Sequence, residues 1–150
     1  MKLTKFAVAS ALMIQASFAW AGGVEVLVGQ SLGKKGGDTY TLDVLSDGRM
    51  TAFQFDVEFP GVPTKAIDLS KCGGASTKKF GVDLTCNMVE GKVRVVGLSM
   101  SLQTLPEGWH NLGAIRVSSK QQVTAQISGL LAGDPEGRAI SSGSKVESID

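Results

Sequence analysis

The chain has 150 residues, room for one ordinary domain, with 15 Lys+Arg against 14 Asp+Glu and 43% hydrophobic content. Balanced charge with no basic stripe excludes a nucleic-acid binder working by bulk positive charge, and this apolar content at low net charge excludes simple disorder. Nineteen glycines against four prolines, in an apolar fraction rich in Val and Leu, lean toward strands and tight turns.

Residues Met1 to Ala21 read as a secretory signal peptide. Lys2 and Lys5 give the positive start, Phe6 to Phe18 a short apolar stretch, and Ala19-Trp20-Ala21 the small-x-small cleavage pattern. Cleavage after Ala19 is the close competitor. Ser10, Gln15 and Ser17 interrupt the apolar run, which falls short of the ~20 residues a membrane-spanning helix needs. No second such stretch follows. The expectation is a soluble domain over residues 22–150, secreted or held in a periplasm, with a formal charge of −1 once Lys2 and Lys5 are gone. Recognition must then come from a local surface rather than from the whole-molecule field. An oxidising compartment favours a Cys72–Cys86 disulfide. The two thiols lack the CxxC spacing and the nearby His or second Cys pair of a metal or redox site.

Period-two alternation runs along the rest of the chain. Val24, Val26 and Val28 alternate with Glu25 and Leu27; Tyr40, Leu42 and Val44 alternate with Thr39, Thr41 and Asp43. Between these pairs of runs, Gly36-Gly37-Asp38 and then Ser46-Asp47-Gly48 mark turns. The clearest strand follows: Phe53, Phe55, Val57 and Phe59 on one side, Ala52, Gln54, Asp56 and Glu58 on the other. Phe80, Val82, Leu84 and Cys86 share a face, Val93 and Val95 alternate with Lys92 and Arg94, and Gly97 marks a bulge or a close approach. Leu112 to Val117, Val123 to Leu131 and a weaker stretch from Ala139 to Val146 complete the set. Eight or nine short strands with regular turn signals predict an all-β sandwich in one domain, because each half-apolar strand must bury one face against a second sheet.

The order of motifs resembles that of cohesin domains. Val24-Glu25-Val26-Leu27-Val28-Gly29 followed by Gly33-Lys34-Lys35-Gly36-Gly37-Asp38-Thr39-Tyr40 is similar to the family's first strand, "GKxGD" turn and Thr/Val-rich second strand. Ala52 to Pro60 resembles its third strand. Gly91 to Val96, Pro106-Glu107-Gly108 and Leu112 to Val117 look like its later ones. Where the family usually has Tyr-Asp-Pro after the third strand, this chain has Phe59-Pro60. The resemblance implies a nine-stranded jelly-roll β-sandwich and a non-catalytic receptor, whose exposed sheet face grips a calcium-loaded dockerin on another protein. It implies Gln54 and Asp56 as partner contacts, with Lys92 and Arg94 on a later strand beside them.

Catalytic readings are thin. His110 is the single histidine and no GxSxG elbow accompanies it. Asp56 and Glu58, about 7 Å apart as i and i+2 on one strand face, are spaced like a glycosidase pair but read as a solvated polar face. Asp134, Glu136 and Asp43 or Asp47 offer oxygen ligands without any EF-hand loop. The expectation is a binding module with neither enzyme activity, cofactor nor metal. The alternative is a carbohydrate-binding module that uses Trp109 and neighbouring loop groups to hold a polysaccharide, since a sugar's C–H face stacks on an exposed aromatic ring.

Overall fold

Alternation becomes nine strands in two facing sheets. The computed structural model describes residues 23–31, 37–73, 75–119 and 122–148; residues 1–21, read above as a signal peptide, and residues 33–36 of the first turn lie outside them. The strands are β1 (Val24–Ser31), β2 (Asp38–Ser46), β3 (Ala52–Glu58), β4 (Ile67–Asp68), β5 (Val82–Val89), β6 (Lys92–Ser99), β7 (Gly108–Val117), β8 (Gln126–Gly133) and β9 (Ser142–Ser148). A single helical turn, α1 (Ala75–Lys78), interrupts them, as does a 3-10 turn at Thr64–Ala66. One sheet runs β4-β7-β2-β1-β9 and the other β5-β6-β3-β8. All pairings are antiparallel except β1 with β9.

The core fills the space between the sheets. β1 and β2 contribute Val24, Val26, Val28, Tyr40, Leu42 and Val44; β3 contributes Phe53, Phe55 and Val57. Val93 and Val95 come from β6, and Leu112, Ile115 and Val117 from β7. Those on β1, β2, β3 and β6 are the inward positions that alternation predicts; on β7, Leu112 and Ile115 are three apart because the register shifts beside Leu112. Gly97 is a close approach and not a bulge: a Cβ there would sit 2.3 Å from Cε1 of Phe53, its partner across the ladder.

Three strand limits differ from the sequence reading. β7 starts at Gly108, so Trp109 and His110 belong to a strand and not to a loop. β8 starts at Gln126 instead of Val123, because the Val123 carbonyl accepts hydrogen bonds from the Tyr40 hydroxyl and the Gln30 side-chain amide. β9 starts three residues and ends two residues later than expected and is mostly exposed.

The disulfide closes one side of the sandwich. Cys86 lies on β5, and Cys72 lies on a strap running along β7, where Gly73 N–H donates to the Leu112 carbonyl and Ala114 N–H to the Lys71 carbonyl. The strap can come this close only because position 113 is glycine. Its φ is +102° and a Cβ would meet the Lys71 carbonyl oxygen at 2.2 Å. The Cys72–Cys86 bond therefore ties the edge of the four-stranded sheet to the five-stranded one.

Replacing both cysteines by serine is expected to lower unfolding free energy by about 3 kcal/mol through the freed loop, and Gly97→Ala by about 1–3 kcal/mol through overpacking against Phe53. Chemical denaturation monitored by circular dichroism checks both; an unchanged midpoint in either variant contradicts its assigned role.

Candidate binding face

With Phe53, Phe55 and Val57 turned inward, Ala52, Gln54, Asp56 and Glu58 stand on the outer side of β3. Register then decides their neighbours. Across to β6, Ala52 faces Leu98, Gln54 faces Val96 and Asp56 faces Arg94. Beyond them on β5 lie Asp83, Thr85 and Asn87. On the other side, β8 places Leu131 against Gln54, Ser128 against Asp56 and Gln126 against Glu58, with a bulge between Gln54 and Asp56.

The face divides into two halves. At one end, Arg94 grips Asp56 through two parallel hydrogen bonds, Nε to Oδ1 at 2.9 Å and Nη2 to Oδ2 at 3.1 Å, the strong fork geometry of a guanidinium on a carboxylate. Next to it Lys92 approaches Glu58 at 3.9 Å. The Arg94 hydrogen bonds hold the Asp56 carboxyl below the usual carboxylate range against the opposing effect of its burial, and raise Arg94 in turn. At the other end, Ala52, Val96, Leu98, Leu131 and Ala139 line an open depression of about 370 Å³. Leu98 and Leu131 are 45% and 67% exposed there.

All four residues singled out from sequence therefore sit on one face, but not as free contacts. Asp56 points outward yet is only 9% exposed, covered by Arg94, so it does not look out at open water. The apolar half was missed. Its signal is present in the sequence as Val96 and Leu98 in the outward register of Lys92 and Arg94, but reading it needs the pairing.

The remaining candidates are dispersed. His110 is buried, its Nε2–H donating to the Pro106 carbonyl at 2.7 Å and its ring meeting Phe80 edge-on. Asp134 accepts from the backbone N–H of Glu136 and Arg138 and from Arg138 Nε, pinning its own turn. Asp47 pairs with Arg49, and Asp43 accepts from Asn111. Among the described residues no three His, Cys, Asp or Glu side chains gather as a metal cluster. Trp109 is 51% exposed on the outer side of the other sheet.

The sequence matches no family model, and no curated protein matches it. Solved structures do. The sixth cohesin of scaffoldin B from Acetivibrio cellulolyticus, solved with a Cel5 dockerin mutant, superposes with a TM-score of 0.64 at 15% identity, over 85% of this chain and 99% of that one. A non-cellulosomal cohesin from the archaeon Archaeoglobus fulgidus gives 0.61 at 11%, over 85% and 92%. The second type II cohesin module of the ScaA scaffoldin of A. cellulolyticus gives 0.56 at 16%, over 83% and 92%. The fold is cohesin-like. The cohesin-like sandwich expected from the strand order is thus the architecture found, nine strands included.

Because the folded carboxyl of Asp56 lies below its unfolded value, its pairing contributes stability at and above the ordinary carboxylate pKa of about 3.9. That contribution disappears as pH falls through the depressed folded value. Denaturation midpoints measured from pH 6 down to pH 2 should show the protein losing more stability below about pH 4 than Asp56→Asn does; parallel curves contradict the pairing.

Proposed function

We propose that this chain is a secreted, non-catalytic module that grips a protein partner of the dockerin kind through the outer face of its four-stranded sheet. One observation carries the reading: an exposed apolar depression around Leu98 and Leu131 adjoins a polar half whose charges are already paired with each other. Exposed apolar surface rimmed by satisfied polar groups is the anatomy of a protein interface, with an apolar centre that excludes water and a polar margin that sets orientation. The four strands span about 14 Å at ordinary strand spacing, enough to seat one helix of about 10–12 Å diameter.

The roles follow from position. Leu98 and Leu131 anchor, and Gln54, between Val96 and Leu131, offers an amide at the junction of the halves. Asp56–Arg94 and Glu58–Lys92 orient the partner at the margin. Three of the cohesin-like solved structures are described as complexes with dockerins, which supports this class of partner. Non-catalytic work is supported by an Asp56 carboxyl pushed down rather than up, the reverse of what a general acid needs. Secretion is supported by the leader-like residues Met1 to Ala21 and by the Cys72–Cys86 bond.

Capture experiments with the purified protein against calcium-loaded dockerins test the reading. Leu98→Asp with Leu131→Asp should weaken capture by about thirtyfold or more, as loss of a central hot spot does. Gln54→Ala with Asp56→Ala should weaken it less. Binding should change little with ionic strength, because the face presents paired charges and not a net field. Capture that survives the double leucine substitution places the partner elsewhere.

A further inference from the structure

We infer that the outer face of the five-stranded sheet holds a second site, built around Trp109, for a single sugar unit of a soluble polysaccharide. It lies on the opposite side of the sandwich from the proposed protein-binding face and does not depend on it. Trp109 is the one exposed aromatic ring among the described residues; Tyr40, Phe53, Phe55 and Phe59 are buried and Phe80 is half-buried.

The surroundings of Trp109 select the ligand class. Reading across the sheet at its level are Leu45 on β2, then Glu25 on β1 and Gly143 on β9. One outward step along β7, about 7 Å away, lies Asn111; Asp43, Leu27 and Lys145 continue that row on β2, β1 and β9, each one strand farther from the ring. Beside the half-buried Leu45, the outward side chains nearest the ring are the Asn111 amide and, one strand across, the Asp43 carboxylate; Glu25 is nearly buried and Lys145 lies three strands away. A protein hot spot surrounds its aromatic anchor with further apolar surface that excludes water; this surface does not. A pyranose fits it, because one side of the ring is an apolar C–H surface that stacks on an indole while its edge carries hydroxyls that both donate and accept.

The polar groups are also fixed in advance. Asn111 Nδ2 donates to Asp43 Oδ1 at 3.0 Å and to the Leu42 carbonyl at 3.4 Å, while its Oδ1 accepts from Gly113 N–H at 3.0 Å. The amide thus fixes the Asp43 carboxylate on the adjacent strand, one outward step along from the level of the indole, and little side-chain entropy is lost on binding. One exposed ring makes a subsite for one sugar residue, so the ligand is a soluble chain or a chain end and not a flat crystalline surface.

Affinity electrophoresis of the purified protein through gels containing soluble glucans, xylan, mannan or chitosan tests the site. At least one polysaccharide should retard the protein. Trp109→Ala should reduce that affinity about tenfold or more, within the worth of one aromatic stack. Trp109→Tyr should retain most of it, and Asp43→Ala should lower it. Leu98→Asp with Leu131→Asp, on the other face, should leave retardation unchanged while weakening dockerin capture, so the two readings fail separately. Melting curves identify any unfolded variant, in which case the Trp109→Tyr and Asp43→Ala pair decides. No retardation by any of these polysaccharides overturns the inference. So does retardation unaltered in Trp109→Ala, or loss of protein capture in that variant.

Discussion

Phe53, Phe55 and Val57 leave one side of β3, Phe59 follows from the residue after it, and together they fill the space between the sheets. Phe53 and Phe55 lie nearly parallel at 6.3 Å between ring centroids, and Tyr40 from the facing sheet meets Phe59 edge-on at 4.7 Å. Each such side chain contributes roughly 1.5–3 kcal/mol by leaving water, and a one-residue slip would turn all of them out together. This packing fixes the register of β3. With register fixed, Gln54, Asp56 and Glu58 have no choice but the outer face, and β6 and β8 must bring particular side chains beside them.

The charges on that face owe their positions to the same constraint. Antiparallel pairing sets Asp56 directly opposite Arg94, and the arginine folds down until the carboxylate is nearly covered. An ion pair this near the surface adds little to stability. Its consequence for recognition is larger, because acid and base cancel where a partner would land. What remains distinctive on the face is shape and apolarity around Leu98 and Leu131, while the near-zero charge of the whole chain supplies no long-range steering.

Alternation made the inward residues legible: every one of Val24, Val26, Val28, Tyr40, Leu42, Val44, Phe53, Phe55 and Val57 is buried. It also placed Gln54, Asp56, Lys92 and Arg94 on outer faces. It could not say that Lys92 and Arg94 would stand beside Asp56 and Glu58, since pairing is a long-range fact. Two bulges compound this, one between Leu42 and Asp43 and one between Gln54 and Asp56. The second shifts the β8 register between Ser128 and Leu131. Leu131 belongs to an apolar cluster, Ile127 and Leu130 to Ala132 around Ser128 and Gly129, whose exposed member no periodicity identifies. Trp109 and His110 follow Pro106-Glu107-Gly108, a local turn signal that hid the first residues of β7. The parallel pairing of β9 with β1 joins the two ends of the described chain and leaves no local trace at all.

A sandwich about 10 Å thick separates its two outer faces while making both depend on one core. Gly97 and Gly113 show how tightly the two are tied. The first lets the Phe53 ring lie against β6, beneath the apolar depression; the second lets the Cys72 strap lie against β7, two residues beyond Asn111. Damage to either glycine would reach an outer face through backbone that lies beneath it. Substitutions on the faces themselves are different in kind. Leu98 and Trp109 stand in open positions on opposite sheets, with the core between them, and their effects should add without coupling. One fold of this size can thus offer two independent surfaces, each tuned by residues that the core does not need.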